Sequence, residues 1–179
     1  MLLRKKEEIE IWLKKYKIKN YKLIEDTNYG YVINVKKGVD LRNFNEDLKK
    51  IEVKFNKIYG DFDCAGNKLK SLEGCPEIVE GNFDCSYNEL ETLKGCPKII
   101  EGIFWCNNNN LLKIEELYLP KELKTNKIYL NKNKKLDKLQ EIRDLNNLIQ
   151  IIKVKEEKDI LLNIIEKENL NKNNNINKV

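Results

Sequence analysis

Residues 60–80 read GDFDCAGNKLKSLEGCPEIVE, residues 81–101 read GNFDCSYNELETLKGCPKIIE, and residues 102–111 read GIFWCNNNNL: one phrase written twice in full and begun a third time. The period is 21 residues. A fixed period in this range marks a solenoid, whose units cannot bury their apolar faces alone and stack to bury them against one another. Within a unit, Phe62 and Cys64 alternate with polar neighbours, which predicts a short strand with two side chains turned inward. Asn67 then turns in at the bend to bond backbone groups, and Leu69 and Leu72 follow on the core side. Gly74-Cys75-Pro76 breaks the chain on the convex side, where Ile78 and Val79 return to the core.

Outward from this block, the same grammar can be followed in weakened form. Val39-Asp40-Leu41 carries the strand phrase, and Leu48, Ile51, Phe55, Ile58 and Gly60 keep the spacing of Leu69, Leu72, Pro76, Val79 and Gly81. Residues 38–59 therefore read as a degenerate first unit with two extra residues in its bend. After Leu111, Ile114 and Leu117 stay in phase, Leu119-Pro120 is a variant turn, and Ile128-Tyr129-Leu130 with Asn133 reads as one more strand and asparagine bend. That makes about five strand positions in one parallel ladder, above the minimum of about three units for a stable stack.

The ends read as caps, needed because a terminal unit would otherwise expose an apolar face. Ile9, Trp12, Leu13 and Tyr16 fall at i, i+3, i+4 and i+7, which predicts an amphipathic helix over Lys5 to Tyr16. Tyr21 to Ile24 and Tyr31 to Val35 predict a hairpin around Asn28-Tyr29-Gly30. At the other end, Leu139, Ile142, Leu145, Leu148, Ile149 and Ile152, then Leu161, Ile164 and Ile165, predict a helical C-terminal cap, with Leu148 to Val154 equally readable as a strand. Residues 169–179 are mostly Asn and Lys and read as a disordered tail. The expected organisation is an α/β solenoid: an N-terminal cap over 1–37, a solenoid over 38–136, a helical cap over 137–168, and the tail.

The charge is unevenly placed. Residues 1–59 hold 15 basic and 9 acidic side chains, residues 60–106 hold 4 and 9, and residues 107–179 hold 15 and 11, so the repeat block is acidic inside a chain of net charge +5. Met1-Leu2-Leu3 runs at once into charged residues, which predicts no secretion signal, and no transmembrane stretch is apparent. Five cysteines then read as reduced thiols in a cytoplasm: Cys64, Cys85 and Cys106 stacked in one file as small core fillers, Cys75 and Cys96 in another. Zinc finds neither a paired C-x-x-C nor any histidine, and no cofactor is expected.

If Phe and Cys point inward, the residues between them point out. The concave face is then expected to carry Asp63, Asp84, Trp105 and Tyr129 in one file, flanked by Asp61 and Asn82 on one side, by Asn107 on the other, and with Tyr87 at the rim. Large rigid aromatics beside carboxylates are the surface of a partner-binding patch. The bland alternatives are that Trp105 packs under the C-terminal helix and that Asn67, Asn88, Asn109 and Asn133 are purely structural. Catalysis finds no histidine, no G-x-S-x-G and no phosphate-binding glycine loop, and the close carboxylates repeat with the solenoid instead of converging.

Phe62, Cys64, Asn67 and Leu69, with their copies Phe83, Cys85, Asn88, Leu90 and Phe104, Cys106, Asn109, Leu111, resemble the leucine-rich-repeat core L-x-L-x-x-N-x-L, with Phe and Cys replacing two leucines. The longer phrase S/T-L-x-G-C-P-x-x-V-x-G-x-F-x-C-x-x-N-x-L, preceded by Trp12 and Asn20-Tyr21, resembles a group of leucine-rich-repeat proteins of bacteriophage and prophage genomes, over roughly residues 9 to 111. The resemblance implies a monomeric, non-enzymatic protein–protein interaction module acting in a bacterial cytoplasm. Its partner would be a basic host protein or nucleoprotein complex, and one specific version is inhibition of a defence nuclease such as a CRISPR effector. Two other classes stand beside it. One is a nucleic-acid binder using the lysine-rich termini, disfavoured because Arg and aromatic residues are not interleaved with the lysines. The other is a structural phage component.

Overall fold

The computed structural model describes residues 2–44, 48–111 and 123–133. The expected C-terminal helices and tail, and the phase-keeping Ile114 and Leu117, lie outside the described residues. The chain opens with helix α1 (Lys6–Lys15), then strands β1 (Tyr21–Asp26) and β2 (Gly30–Val35). Eight shorter strands follow: β3 (Val39–Asp40), β4 (Phe55–Ile58), β5 (Phe62–Asp63), β6 (Ile78–Val79), β7 (Phe83–Asp84), β8 (Ile99–Ile100), β9 (Ile103–Trp105) and β10 (Lys127–Tyr129). They form two five-stranded sheets, ordered β1-β2-β4-β6-β8 and β10-β9-β7-β5-β3. Every pairing is parallel except the β1–β2 hairpin. The result is a β-solenoid in which each turn of chain lays one short strand on each sheet.

The expected ladder is the second of these, here sheet B. Val39 pairs with Phe62, Phe62 with Phe83, Phe83 with Phe104, and Phe104 with Ile128, so the degenerate first and last units sit in the register that the spacing implied. The convex side differs from expectation. Ile78–Val79 and Ile99–Ile100 do more than return to the core: with β4 they build a second parallel ladder, sheet A, in which Ile58, Val79 and Ile100 are buried in line. Two residues are too few to show alternation in sequence, and only the neighbouring coils supply the hydrogen bonds that make them strands.

Between the sheets the core is a column of rings. Trp12 meets Phe55 at 6.1 Å between centroids, Phe55 meets Phe62 at 5.3 Å, Phe62 meets Phe83 at 5.8 Å, and Phe83 meets Phe104 at 5.2 Å. The four phenylalanines are fully buried, as are Cys64, Cys75, Cys85 and Cys106. Burial pushes the Cys85 and Cys106 thiols well above their ordinary range; for Cys64 the larger cause is its hydrogen bond with Cys75, with burial adding to it.

The asparagines turn inward to backbone groups at the bend, as expected, and they also bind coil to coil. Asn88 Nδ2 donates to the carbonyls of Cys64 in the preceding coil (3.0 Å) and of Cys85 and Ser86 in its own (both 3.1 Å), while its Oδ1 accepts from the Leu69 amide (3.0 Å). Asn109 repeats the pattern with the Cys85 and Cys106 carbonyls and the Leu90 amide. Asn133 continues it with the Cys106 and Leu130 carbonyls. A glycine opens each unit because backbones cross closely there: a Cβ on Gly102 would come within 2.8 Å of the Gly81 carbonyl oxygen, and one on Gly81 within 2.7 Å of the Gly60 carbonyl carbon.

The N-terminal end is closed in two ways. Helix α1 has Glu7 and Glu8 in its first turn and Lys14 and Lys15 in its last, the arrangement that its dipole favours. Its apolar stripe, Ile9, Trp12 and Leu13, is buried against the column. It ends in a Schellman turn: Lys17 is left-handed (φ 57°), its amide donates to the Lys14 carbonyl (3.1 Å), and the Ile18 amide donates to that of Leu13 (2.9 Å). The hairpin closes sheet A, since β2 pairs in parallel with β4 and β1 adds outside it. Its turn is held by Asp26 Oδ1, which accepts from the amides of Asn28 (2.8 Å) and Tyr29 (2.9 Å).

Two measurements check this core. Phe83→Ala removes the middle of the ring column and is expected to cost about 3–5 kcal/mol, read as a large fall in melting temperature; an unchanged melting curve would mean that the register is wrong. In native protein the five thiols are expected to resist alkylation by iodoacetamide and to react together once denatured, as intact-mass spectrometry would count.

Candidate functional site

Each strand of sheet B turns one side chain outward between two buried ones, and the parallel register stacks those outward residues. Asp40, Asp63, Asp84, Trp105 and Tyr129 therefore form one file running down the sheet. The expected file of four is present, lengthened by Asp40. Adjacent strands lie about 4.8 Å apart, so the three carboxylates stand one above another at a spacing where like charges destabilise a sheet.

What holds them is local. Each Asp Oδ1 accepts from the amide two residues on: Asp40 from Arg42 (3.0 Å), Asp63 from Ala65 (3.0 Å) and Asp84 from Ser86 (2.8 Å). At the N-terminal end of the file the Arg42 guanidinium answers the charge, with Nη2 at 2.7 Å from Asp40 Oδ2, Nε at 3.0 Å from Asp40 Oδ1, and Nε at 3.4 Å from Asp63 Oδ2. The hydrogen bond from Arg42 holds the Asp40 carboxyl below its usual range. Asp63 goes the other way: its burial raises the pKa, the Ala65 amide and Arg42 oppose this, and the neighbouring Asp84 and Asp40 carboxylates add to it. No ion pair to Asp84 forms among the described residues.

Below the acids come the aromatics. The Trp105 and Tyr129 rings are nearly coplanar in orientation (4°) with centroids 6.2 Å apart, and Lys127 Nζ lies 4.5 Å from the Tyr129 ring centre. Both rings are partly exposed at the outer surface.

The flanking residues divide into two kinds. Asp61 Oδ1 accepts from the Asn82 amide (2.7 Å) and Asn82 Oδ1 from the Ile103 amide (2.9 Å), so these two side chains run along the stack and tie each coil to the next. They belong to the scaffold of the face more than to its free surface. Asn107 is partly exposed, and its carbonyl accepts from the Tyr87 amide (3.1 Å). Tyr87 is the most exposed aromatic on this side, at 59%, and it sits in a file of left-handed residues: Asn43 (φ 57°), Gly66 (67°), Tyr87 (53°), Asn108 (54°) and Lys132 (57°). Asn and Gly take that conformation readily, whereas for a tyrosine it costs about 1–2 kcal/mol.

Arg42 and Asp40 were absent from the sequence reading of the site although the signal was there. Val39-Asp40-Leu41 aligns with Phe62-Asp63-Cys64, which already places Asp40 in the outward file, and Arg42 follows at the position of Ala65 and Ser86. Among the described residues no cluster of three or more acidic or cysteine side chains is arranged to hold a metal ion. Nor is any helix among them long and apolar enough to cross a membrane. Comparison of the chain with protein-family models, with curated proteins and with solved structures finds no match.

The raised Asp63 pKa fixes the sign of a pH effect. Ionised Asp63 is disfavoured in the folded state, so it weakens the fold above the carboxylate range and stops doing so when protonated. Asp63→Asn keeps the acceptor for the Ala65 amide and removes the charge. It is expected to raise stability at pH 7 by up to about 0.5 kcal/mol, a gain limited by solvent screening and by the loss of the Arg42 contact, and to lose that advantage below about pH 4. Urea titrations of both proteins at the two pH values check it.

Proposed function

We propose that this protein is a non-enzymatic binding module that presents the outward file of sheet B to a basic surface on a protein partner. The observation that carries the reading is the file itself: three in-register carboxylates, two of them paired with one guanidinium, run directly into a pair of stacked, partly exposed aromatics. A fold that needed only an Asx-type turn at these positions could have used asparagine, which accepts the same amide without the repulsion. Retaining Asp63 and Asp84 one above the other keeps a negative strip that steers and orients a cationic partner. Trp105 and Tyr129 supply the rigid contact area on which interface energy concentrates. Tyr87 adds an exposed ring on a backbone that disfavours tyrosine, and strain of this kind gathers at binding sites.

The carboxylates lie on an open sheet, each bound to its own turn, which favours recognition over acid–base chemistry. The leucine-rich-repeat resemblance to phage and prophage proteins makes a host protein in a bacterial cytoplasm the natural partner. A nucleic-acid-binding groove on a defence nuclease, such as a CRISPR effector, has the required basic surface, and occupying it would inhibit the enzyme. Site residues in this reading are Asp63, Asp84, Tyr87, Trp105, Asn107 and Tyr129, with Asp61 and Asn82 holding the face in shape.

The test is capture of the partner from host lysate followed by titration with variants that keep the fold. Trp105→Ala is expected to weaken binding by about 2 kcal/mol or more. Asp63→Asn with Asp84→Asn, which preserve both turn hydrogen bonds, are expected to slow association and flatten its salt dependence, since exposed charges are screened over about 10 Å at 0.1 M salt. Unchanged affinity in all three, with circular dichroism showing native structure, would move the site off this face.

A further inference from the structure

The two sheets do not end together. In sheet A the coil before β4 is represented by β2, with β1 beyond it, whereas sheet B stops at β3. Among the described residues nothing pairs with the outer edge of β3.

That edge is a prepared template. In the inner coils the amide of the inward cysteine bonds the carbonyl of the next coil's outward residue: Cys64 to Asp84 (2.8 Å), Cys85 to Trp105 (2.9 Å) and Cys106 to Tyr129 (3.0 Å). Leu41 makes the same bond to Asp63 (2.7 Å), and Val39 and Asn43 bond Asp61 and Ala65 on either side of it. Residues 39, 41 and 43 thus face β5, and by strand alternation the carbonyls of Gly38, Asp40 and Arg42 face outward, in the positions that every later coil fills. The Asp40 amide faces the same way.

The place where the missing strand would lie is a groove of about 460 Å³, walled by residues 16–20 on one side and by residues 37–40 and Arg42 on the other, with Phe44 at its end. Lys17, Lys19 and Lys37 are exposed on its walls, and none is held in an ion pair among the described residues. Arg42 is engaged with Asp40 and Asp63, so the groove's uncommitted charge is positive. Its aromatic residues make a poor platform for bases: Tyr16 is 4% exposed and packs edge-on at 5.0 Å against Phe44, which is itself partly buried. An exposed edge with lysines around it suits a peptide main chain carrying carboxylates and suits nucleic acid poorly.

We infer that the β3 edge is a second binding site, which takes an extended acidic peptide of a partner protein as an added strand of sheet B, its main chain on Gly38, Asp40 and Arg42 and its carboxylates on Lys17, Lys19 and Lys37. The site adjoins the N-terminal end of the acidic and aromatic file at Asp40 and Arg42, but it uses their main-chain groups and does not depend on the function proposed for that file.

The probe is a capped, fluorescein-labelled peptide of alternating glutamate and valine, titrated into the full chain and followed by anisotropy. Binding is expected with a dissociation constant on the order of 10–100 μM, together with slowed hydrogen exchange at the Asp40 amide. Lys17→Glu with Lys37→Glu should weaken it by about tenfold or more, while the charge-matched pair Lys94→Glu with Lys124→Glu, away from the groove, should not. A fully N-methylated analogue, which cannot donate to the edge, should not bind. Equal binding of the N-methylated or a lysine–valine peptide overturns the inference. So does displacement of the probe by a thymidine oligonucleotide at lower concentration than by unlabelled peptide. Absence of binding at about 1 mM peptide, as when a segment of this same chain already lies on the edge, overturns it too.

Discussion

Each buried asparagine holds two coils at once, and the register of the whole stack depends on that double grip. The Asn88 amide nitrogen reaches the Cys64 carbonyl of one coil and the Cys85 carbonyl of the next, while its oxygen takes the Leu69 amide. A buried amide with donors and acceptor all used is favourable only in one arrangement of the two coils, because a slip of a single residue would leave several polar atoms unpaired. The ring column and the cysteine files follow from this register: identical side chains meet because the backbone beneath them is held in phase.

Register also explains why the two outer surfaces differ. Where the repeat is faithful, a side chain meets its own copy, which for Asp63 and Asp84 means repulsion. Where the copies diverge, complementary pairs become available: Glu77 and Lys98 occupy the same place in successive units and meet at 3.1 Å. On sheet A, Lys57 and Glu80 form a further cross-coil pair at 2.7 Å, so that surface largely neutralises itself. On sheet B the divergence runs from carboxylate to aromatic, and among the described residues the charge is answered at the Arg42 end. Among the described residues the sheet A side thus carries cross-coil ion pairs, while Asp84 on sheet B has none.

The N-terminal cap divides its work in a similar way. Helix α1 covers the end of the core with Ile9, Trp12 and Leu13, and the hairpin covers the end of sheet A. Apolar burial needs only a lid of the right shape, whereas a sheet edge needs a strand of the right register. Among the described residues the second is supplied on one side alone, and that leaves the groove at β3.

Much of this fold can be read directly from the sequence, because a 21-residue period with inward Phe, Cys, Asn and Leu has only one economical burial. The strand register, the asparagine bonds, the helix stripe and the outward file Asp63, Asp84, Trp105 and Tyr129 all follow from local spacing, and the structure agrees with them. The second sheet did not follow: a two-residue strand such as Ile78–Val79 has no pattern of its own and exists only through bonds to the coils above and below. The division of the site residues was likewise decided in three dimensions. Asp61 and Asn82 read as surface polar groups, yet each spends its oxygen on an amide 21 residues away. The left-handed backbone of Tyr87 and the reach of Arg42 across to Asp63 in the next coil were likewise decided in three dimensions, although the alignment of Val39-Asp40-Leu41 with Phe62-Asp63-Cys64 already places Arg42 beside the file.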